Sequence, residues 1–261
     1  CRDAAVVLTL SRKCLHFKDK NYSDVISDIF KKYGEISGKT EATQLKHSEI
    51  LQYYATDWDF VLSRAEMNGQ IVLVEDGKLS VKKPTTSGKE IIDLTFGANI
   101  IEIDVEMDAR SQYQSVSAQA WNPGNQTLET ANGKEPSGNN QGNLTGPKLA
   151  TMNQSTAPLE LRHGGALSIT ELQAWADAQL LKSRLSKIQG QIKIQGFQGA
   201  KPDALLKLSG MGARVNGLAY VSGIRHEMNE GTWCTYLYMG LTPQWFYKEP
   251  DIVERPASGL L

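Results

Sequence analysis

The order of apolar and polar positions divides the chain into a short β segment, an α/β stretch and a longer β region. Residues 3–17 alternate loosely and are rich in Val and Leu, which predicts a strand. The period then changes. In NYSDVISDIFKKYG, residues Val25, Ile26, Ile29, Phe30 and Tyr33 fall on one helical face. Ser23 is placed to cap this helix, Asp24 sits at its positive end, and Lys31 and Lys32 sit at its negative end. Gly34 would supply a left-handed stop.

A second helix is expected in TDWDFVLSRAEMNG, residues 56–69. Thr56 is a good N-cap, and Asp59 three residues on gives the Thr-x-x-acid form of a capping box. Asp57 lies in the first turn, where the helix dipole stabilises a carboxylate by about 0.3–1 kcal/mol. Trp58, Val61, Leu62 and Ala65 make the expected buried stripe, and Gly69 ends the helix. Residues two apart on a helix diverge by about 200°, so Asp57 and Asp59 do not face one substrate. The pair reads as a helix start rather than an acid–base couple.

QIVLVEDGKLSVKKP is two alternating runs about Asp76-Gly77, a hairpin signal. Two further strand-like runs follow, IIDLTFG and IIEIDVEMDA. In the latter, Ile101, Ile103, Val105 and Met107 alternate with Glu102, Asp104, Glu106 and Asp108. One face is expected to be buried. The other would be an anionic face of a solvated or partner-facing edge strand, which acidic residues protect from unwanted pairing. Residues 122–157 are dense in Asn, Gly, Pro, Ser and Thr, and predict a long exposed excursion.

Residues 168–189 carry the clearest helix. Ser168 and Glu171 form a capping box, and Lys182, Arg184 and Lys187 crowd the last turns. Leu172, Trp175, Ala176, Leu180 and Leu185 form the apolar stripe, and Gly190 is the expected terminator. QIKIQG, ALLKLSG, LAYVSGIRHE and TWCTYLYMGL then read as short strands, with a hairpin tip at Asn229-Glu230-Gly231. Evenly spaced short strands suggest a barrel or sandwich.

Composition narrows the function classes. The 261 residues carry a net charge of −1, so no broad basic field favours nucleic acid, and the apolar runs are too short to span a membrane. Three cysteines give neither a disulfide framework nor a paired metal spacing, and a reducing compartment is the default. The sequons at Asn125, Asn143 and Asn153 then read as loop asparagines. Gly210-Met-Gly212 lacks the third glycine of a dinucleotide loop, and no phosphate loop or nucleophile elbow occurs. HEMNE at 226–230 lacks the second histidine of a zinc-protease helix, and His16, His47 and His163 are scattered. No catalytic, metal or cofactor-binding residues are assigned, and no enzyme activity is expected.

Four blocks carry a family resemblance: TDWDFVLSRAEMNGQIVLVEDGKLSV, MDARSQY, HGGALSITELQAWADAQLLKSRLSKIQGQIKIQG and LAYVSGIRHEMNEGTWCTYLYMGLTPQWF. They resemble the Rhs-element Vgr proteins, VgrG-type spike proteins of type VI secretion, which are similar in turn to the baseplate hub of contractile-tailed phages. The resemblance implies an α+β, mainly β fold: two β-barrel-like domains, the first truncated, joined by an α/β segment. Residues 1–20 would be the last strands of the first barrel and 21–90 the connecting region. Residues 91–249 would form the second barrel, carrying loop 122–157 and helix 168–189, and 250–261 would lead towards a spike. It also implies a homotrimer in the full-length form that adapts a hexameric, Hcp-like tube protein to a needle. A spike, a tip protein and other baseplate components would be further partners. Such a protein would assemble in the bacterial cytoplasm and be exported with the machine. Glu102, Asp104, Glu106, Asp108, Trp175, Trp233 and Trp245 are the candidate interface residues, because a ring needs complementary patches on each protomer. Two alternatives from other classes are a cell-wall-polymer hydrolase using paired carboxylates and a carbohydrate-binding β module using exposed tryptophans.

Overall fold

A computed structural model of the chain describes residues 2–138, 141–153 and 157–246. The fold is α+β and mainly β, with a curled half-barrel sheet. The expected tail 250–261 lies outside the described residues.

The first apolar run is not a strand. Ala4–Thr9 forms a 3-10 helix capped by Asp3, whose carboxylate accepts from the Ala5 N–H at 2.8 Å and from the Gly77 N–H at 3.1 Å. Three-residue spacing puts Ala5 and Leu8 on the buried side, which a run of consecutive apolar residues satisfies as well as alternation would. Strand β1 (Arg12–Asn21) follows, then helix α1 (Tyr22–Phe30). The buried face of α1 is Tyr22, Val25, Ile26, Ile29 and Phe30, close to the expected stripe. Its cap is Asn21 rather than Ser23: the Asn21 side chain accepts from the Asp24 N–H at 2.8 Å. Asparagine ranks with serine as an N-cap, and Asn21 lies two residues before Ser23. The helix ends at Lys31, and Gly34 is not left-handed.

Strands β2 (Ser37–Thr40) and β3 (Lys46–Thr56) precede helix α2 (Asp57–Met67). Thr56 caps α2 as expected, accepting from the Asp59 N–H at 3.0 Å. Replacing Thr56 with alanine is therefore expected to cost about 1 kcal/mol in a urea titration. Strands β4 (Ile71–Glu75) and β5 (Lys78–Lys82) form the expected hairpin, with Asp76 at φ 49° and Gly77 at φ 72°. Strand β2 adds to β5 in parallel, while β1 and β3 form a separate antiparallel ribbon. One core joins these parts: Leu8 from the 3-10 helix, Val25, Ile26 and Ile29 from α1, Ile50 from β3, Phe60 and Val61 from α2, and Leu79 and Val81 from β5.

The rest of the chain contains β6 (Ile92–Thr95), β7 (Ile100–Met107), β8 (Val116–Asn122), β9 (Thr127–Asn132), α3 (Gly146–Met152), β10 (Leu159–His163), α4 (Ile169–Leu185), β11 (Ile188–Gln195), β12 (Ala204–Ser209), β13 (Gly217–Asn229) and β14 (Thr232–Met239). A six-stranded sheet has the order β6-β12-β13-β14-β11-β7, and a three-stranded sheet the order β10-β8-β9. Leu94, Ile192, Leu206, Leu208, Val221 and Leu237 fill the core of the larger sheet. Helix α4 lays Leu172, Ala176 and Leu180 on Val116, Ala118 and Ala120 of β8 and Ala131 of β9. The alanines on both sides allow close approach. The β13–β14 hairpin turns at Glu230 and Gly231, both left-handed, as the sequence predicts.

Two expectations are corrected here. The segment 122–157 is not one irregular excursion: it contains β9, which pairs with β8, and α3, capped by Thr145. Polar groups hold much of the remainder. Lys187 Nζ donates to the carbonyls of Gln141 at 2.6 Å and Leu144 at 3.0 Å, and Arg184 grips the Glu135 carboxylate at 2.7 and 2.9 Å. Hydropathy cannot show such anchors, because the partners are backbone carbonyls and one acid. Gly190 does not terminate α4, whose C-cap is Ser186; it lies inside β11 with φ 146°. The Ser168–Glu171 capping box is present as expected.

Candidate assembly surfaces

Strand β7 is an outer strand of the six-stranded sheet, paired with β11 on one side among the described residues. The register Gln189↔Glu106, Gln191↔Asp104 and Lys193↔Glu102 places three carboxylates on the exposed side, with Ile103 and Val105 half-buried towards the core. Ile101 departs from the expected buried row and is 57% exposed, next to a register irregularity at Lys193/Ile194. Asp108 lies beyond the strand and turns back on Arg110, whose Nη2 donates at 2.8 Å and whose backbone N–H donates at 2.8 Å. Those bonds hold its carboxyl below the usual value. Three of the four candidate acids thus form a row, and the fourth is committed to a local turn.

A cross-strand ladder continues the row over the same face. Glu102 lies 3.9 Å from Lys193, the Lys193 ammonium sits 5.3 Å from the Tyr236 ring centroid, and the Arg225 guanidinium sits 4.0 Å from that centroid. The register pairs these residues in turn across β7, β11, β14 and β13. Lys193, Tyr236 and Arg225 were not among the candidates. They are far apart in sequence, and only strand order brings them together.

The three tryptophans have separate environments. Trp175 is half-buried against the α4–β8 core, edge-on to His163 at 6.4 Å. Trp233 covers Gly196, where an added Cβ would lie 2.1 Å from its ring, and its Nε1 donates to His226 Nδ1 at 3.3 Å. Trp245 is half-buried with the Lys182 ammonium 4.9 Å from its ring centroid.

A second surface lies on the β1–β3 ribbon, formed by residues far apart in sequence. The β1–β3 ribbon packs Phe17 and Ile50 on the α1–α2 core, yet Leu51 and Tyr53 on its other face are 56% and 77% exposed. Arg12, His16 and Lys18 are also exposed along β1. Neither ribbon strand has a further neighbour in its sheet among the described residues.

Beneath the ribbon lies a buried polar network centred on Asp57, which is 0% exposed. Lys13 Nζ donates to it at 2.6 Å, Gln52 Nε2 at 2.8 Å, and the Tyr33 hydroxyl donates as well. Burial works against ionisation of Asp57, but these donors outweigh it and leave the carboxyl below its usual value. Further polar bonds join the N-terminal α/β part to the β part. Glu66 pairs with Lys182, Lys82 with Asp203 at 2.6 Å, and His47 with Glu171 at 3.2 Å. Burial lowers the His47 pKa, with Glu171 opposing and Arg64 reinforcing that shift.

An open cleft of about 780 Å³ runs beside the last of these bonds, lined among others by His47, Glu171, Asp177, Lys134 and Glu135. Its charges are mixed and mostly committed: Asp177 accepts from the Lys134 N–H at 2.7 Å, and Glu171 serves the α4 cap. Among the described residues, no group of three or more His, Cys, Asp or Glu is placed to hold a metal ion. No helix among them is long and apolar enough to cross a membrane. Cys14 is exposed and Cys234 buried, both as free thiols.

Solved structures of tail proteins share the fold of curled sheet, α/β module and flanking helices. A tail protein from Neisseria meningitidis MC58 matches with a TM-score of 0.67 at 18% identity, over 94% of this chain and 74% of that one. The prophage MuSo2 43 kDa tail protein from Shewanella oneidensis matches with a TM-score of 0.67 at 11% identity, over 93% and 73%. The Escherichia coli c3393 protein, a component of the type VI secretion system with structural similarity to T4 bacteriophage tail proteins gp27 and gp5, matches with a TM-score of 0.52 at 8% identity, over 96% and 56%. The chain belongs to the family described as the Alg8 N-terminal domain, whose family model matches residues 1–230. No curated protein matches the sequence.

Proposed function

We propose that this chain is a structural, non-enzymatic hub or spike-base subunit of a contractile injection machine of the VgrG type. Its copies form a trimeric adaptor between a hexameric tube protein and a needle. The observation that carries the reading is the tail-protein fold, shared over more than nine-tenths of the chain with two tail proteins. The exposed sheet edges fit a subunit that works by being gripped. In this reading residues 1–20 belong to the end of a first barrel-like domain, 21–90 connect, 91–249 form the second barrel, and 250–261 lead towards the spike. The protein assembles with its partners in the cytoplasm and leaves with the particle.

Light scattering of the chain mixed with a hexameric tube protein of the Hcp type tests the reading. The expected peak has the mass of three copies on one hexamer. Separate elution of an unbound chain and a tube hexamer would overturn the adaptor role.

A further inference from the structure

We infer that β7 of one copy adds as an antiparallel strand to the free edge of β1 in a second copy, acidic row against basic row. The inference rests on the assembly reading above and names its joint.

Both edges are built for a neighbour. Strand β7 ends its sheet, so alternate N–H and C=O groups of its eight residues point away from β11. Its apolar row is incompletely covered: Ile103, Val105 and Met107 are half-buried and Ile101 is mostly exposed. On the other side, β1 is ten residues long and unpaired along its outer edge among the described residues. The ribbon beside it exposes Leu51 and Tyr53.

Charge selects a second copy as the occupant. On β7, Asp104 and Glu106 make no ion pair among the described residues, and Glu102 has only a 3.9 Å contact to Lys193. On β1, the exposed Arg12 and Lys18 make none, and His16 has only a 3.6 Å contact to Glu49. The two rows share the two-residue repeat of a strand face, about 6.8 Å. One antiparallel register sets Glu102 opposite Lys18, Asp104 opposite His16 and Glu106 opposite Cys14, with Arg12 just past the end of β7. Main-chain hydrogen bonds would supply the adhesion and the charge rows would fix the register. The two edges lie on different parts of one chain, so the contact is head-to-tail, and copies close into a ring or run on as a filament. The competing role for an acidic edge is protection against pairing of any kind.

Sedimentation velocity of the whole chain tests this with two double variants, one carrying Glu102→Lys and Asp104→Lys, the other Arg12→Glu and Lys18→Glu. All four side chains are exposed or at the edge. Each variant alone is expected to self-associate at least tenfold more weakly than the wild type, and a mixture of the two is expected to restore association through swapped charges. Wild-type association should also weaken as salt is raised. As a check independent of the variants, hydrogen exchange at β7 amides in the wild type should slow as concentration rises. Association that ignores both reversals would overturn this joint while leaving the assembly reading intact. A wild type that stays monomeric with concentration-independent exchange would also overturn it, and the acidic row would then be protective. The assembly reading would still stand or fall by the tube-protein mixture.

Discussion

Replacing Asp57 with alanine is expected to lower the unfolding free energy by about 3–5 kcal/mol, the range for breaking a buried ion pair by removing one partner. The carboxylate has no exposed surface and takes donors from three elements: Lys13 on β1, Gln52 on β3 and Tyr33 just after α1. Without it, Gln52 is left buried with one donor unmatched and Lys13 is left half-buried without a counter-charge. Two residues on, Asp59→Ala should cost less than about 1 kcal/mol, because only the helix dipole is lost. Urea midpoints of the three proteins at pH 7 check the contrast. The pH dependence follows from the lowered Asp57 pKa. A carboxyl with a folded pKa below its unfolded value of about 3.9 gives its full stabilisation above that value. The stabilisation is lost as pH falls through the depressed folded value. Wild type should therefore lose stability in acid below about pH 4, and Asp57→Ala should lack that component. Equal slopes for both proteins in that window would contradict the network.

Gly190→Val is the second large effect, expected at roughly 3 kcal/mol and localised to the acidic edge. Gly190 has φ 146°, and an added Cβ would lie 2.1 Å from the Asp104 carbonyl oxygen and 2.8 Å from Val105 Cα. Both contacts are backbone atoms of β7, so the strand itself must move. Hydrogen exchange should speed at β7 amides while the β13–β14 hairpin keeps its protection. A uniform rise across the sheet, or none, would contradict the geometry. Gly34→Ala is the control: nothing lies within 4 Å of its added Cβ, and a neutral or slightly stabilising change is expected.

The elements that were legible in the sequence are those whose local signal and tertiary environment agree. The Asp76-Gly77 hairpin, the Ser168–Glu171 capping box and the stripes of α1 and α4 need only backbone chemistry and one apolar face. At Ala4–Thr9 three-residue burial and alternating burial give the same composition over six residues, so the run predicts a strand where a 3-10 helix forms. Gly190 follows a basic helix end as a terminator would, but the glycine there serves the close approach of β11 to the β7 backbone.

Asp57 shows the limit most clearly. Its place in the first turn of α2 was legible, and the structure keeps it there. Its larger role was hidden, because Lys13 lies forty-four positions away on strand β1. The acidic row was visible as alternation, whereas its position on an outer strand, the ladder through Lys193 and Tyr236, and the exposed ribbon all depend on strand order. Strand order is fixed by long-range pairing, and no short window of sequence carries it.

An electron cryomicroscopy map of the assembled particle tests the proposed role most directly. The expected map shows three copies closed into a ring on the tube, with the β7 backbone of each within hydrogen-bonding distance of β1 in the next. A map in which the chain occurs as a single copy, or sits away from the tube axis with both edges open to solvent, would contradict it.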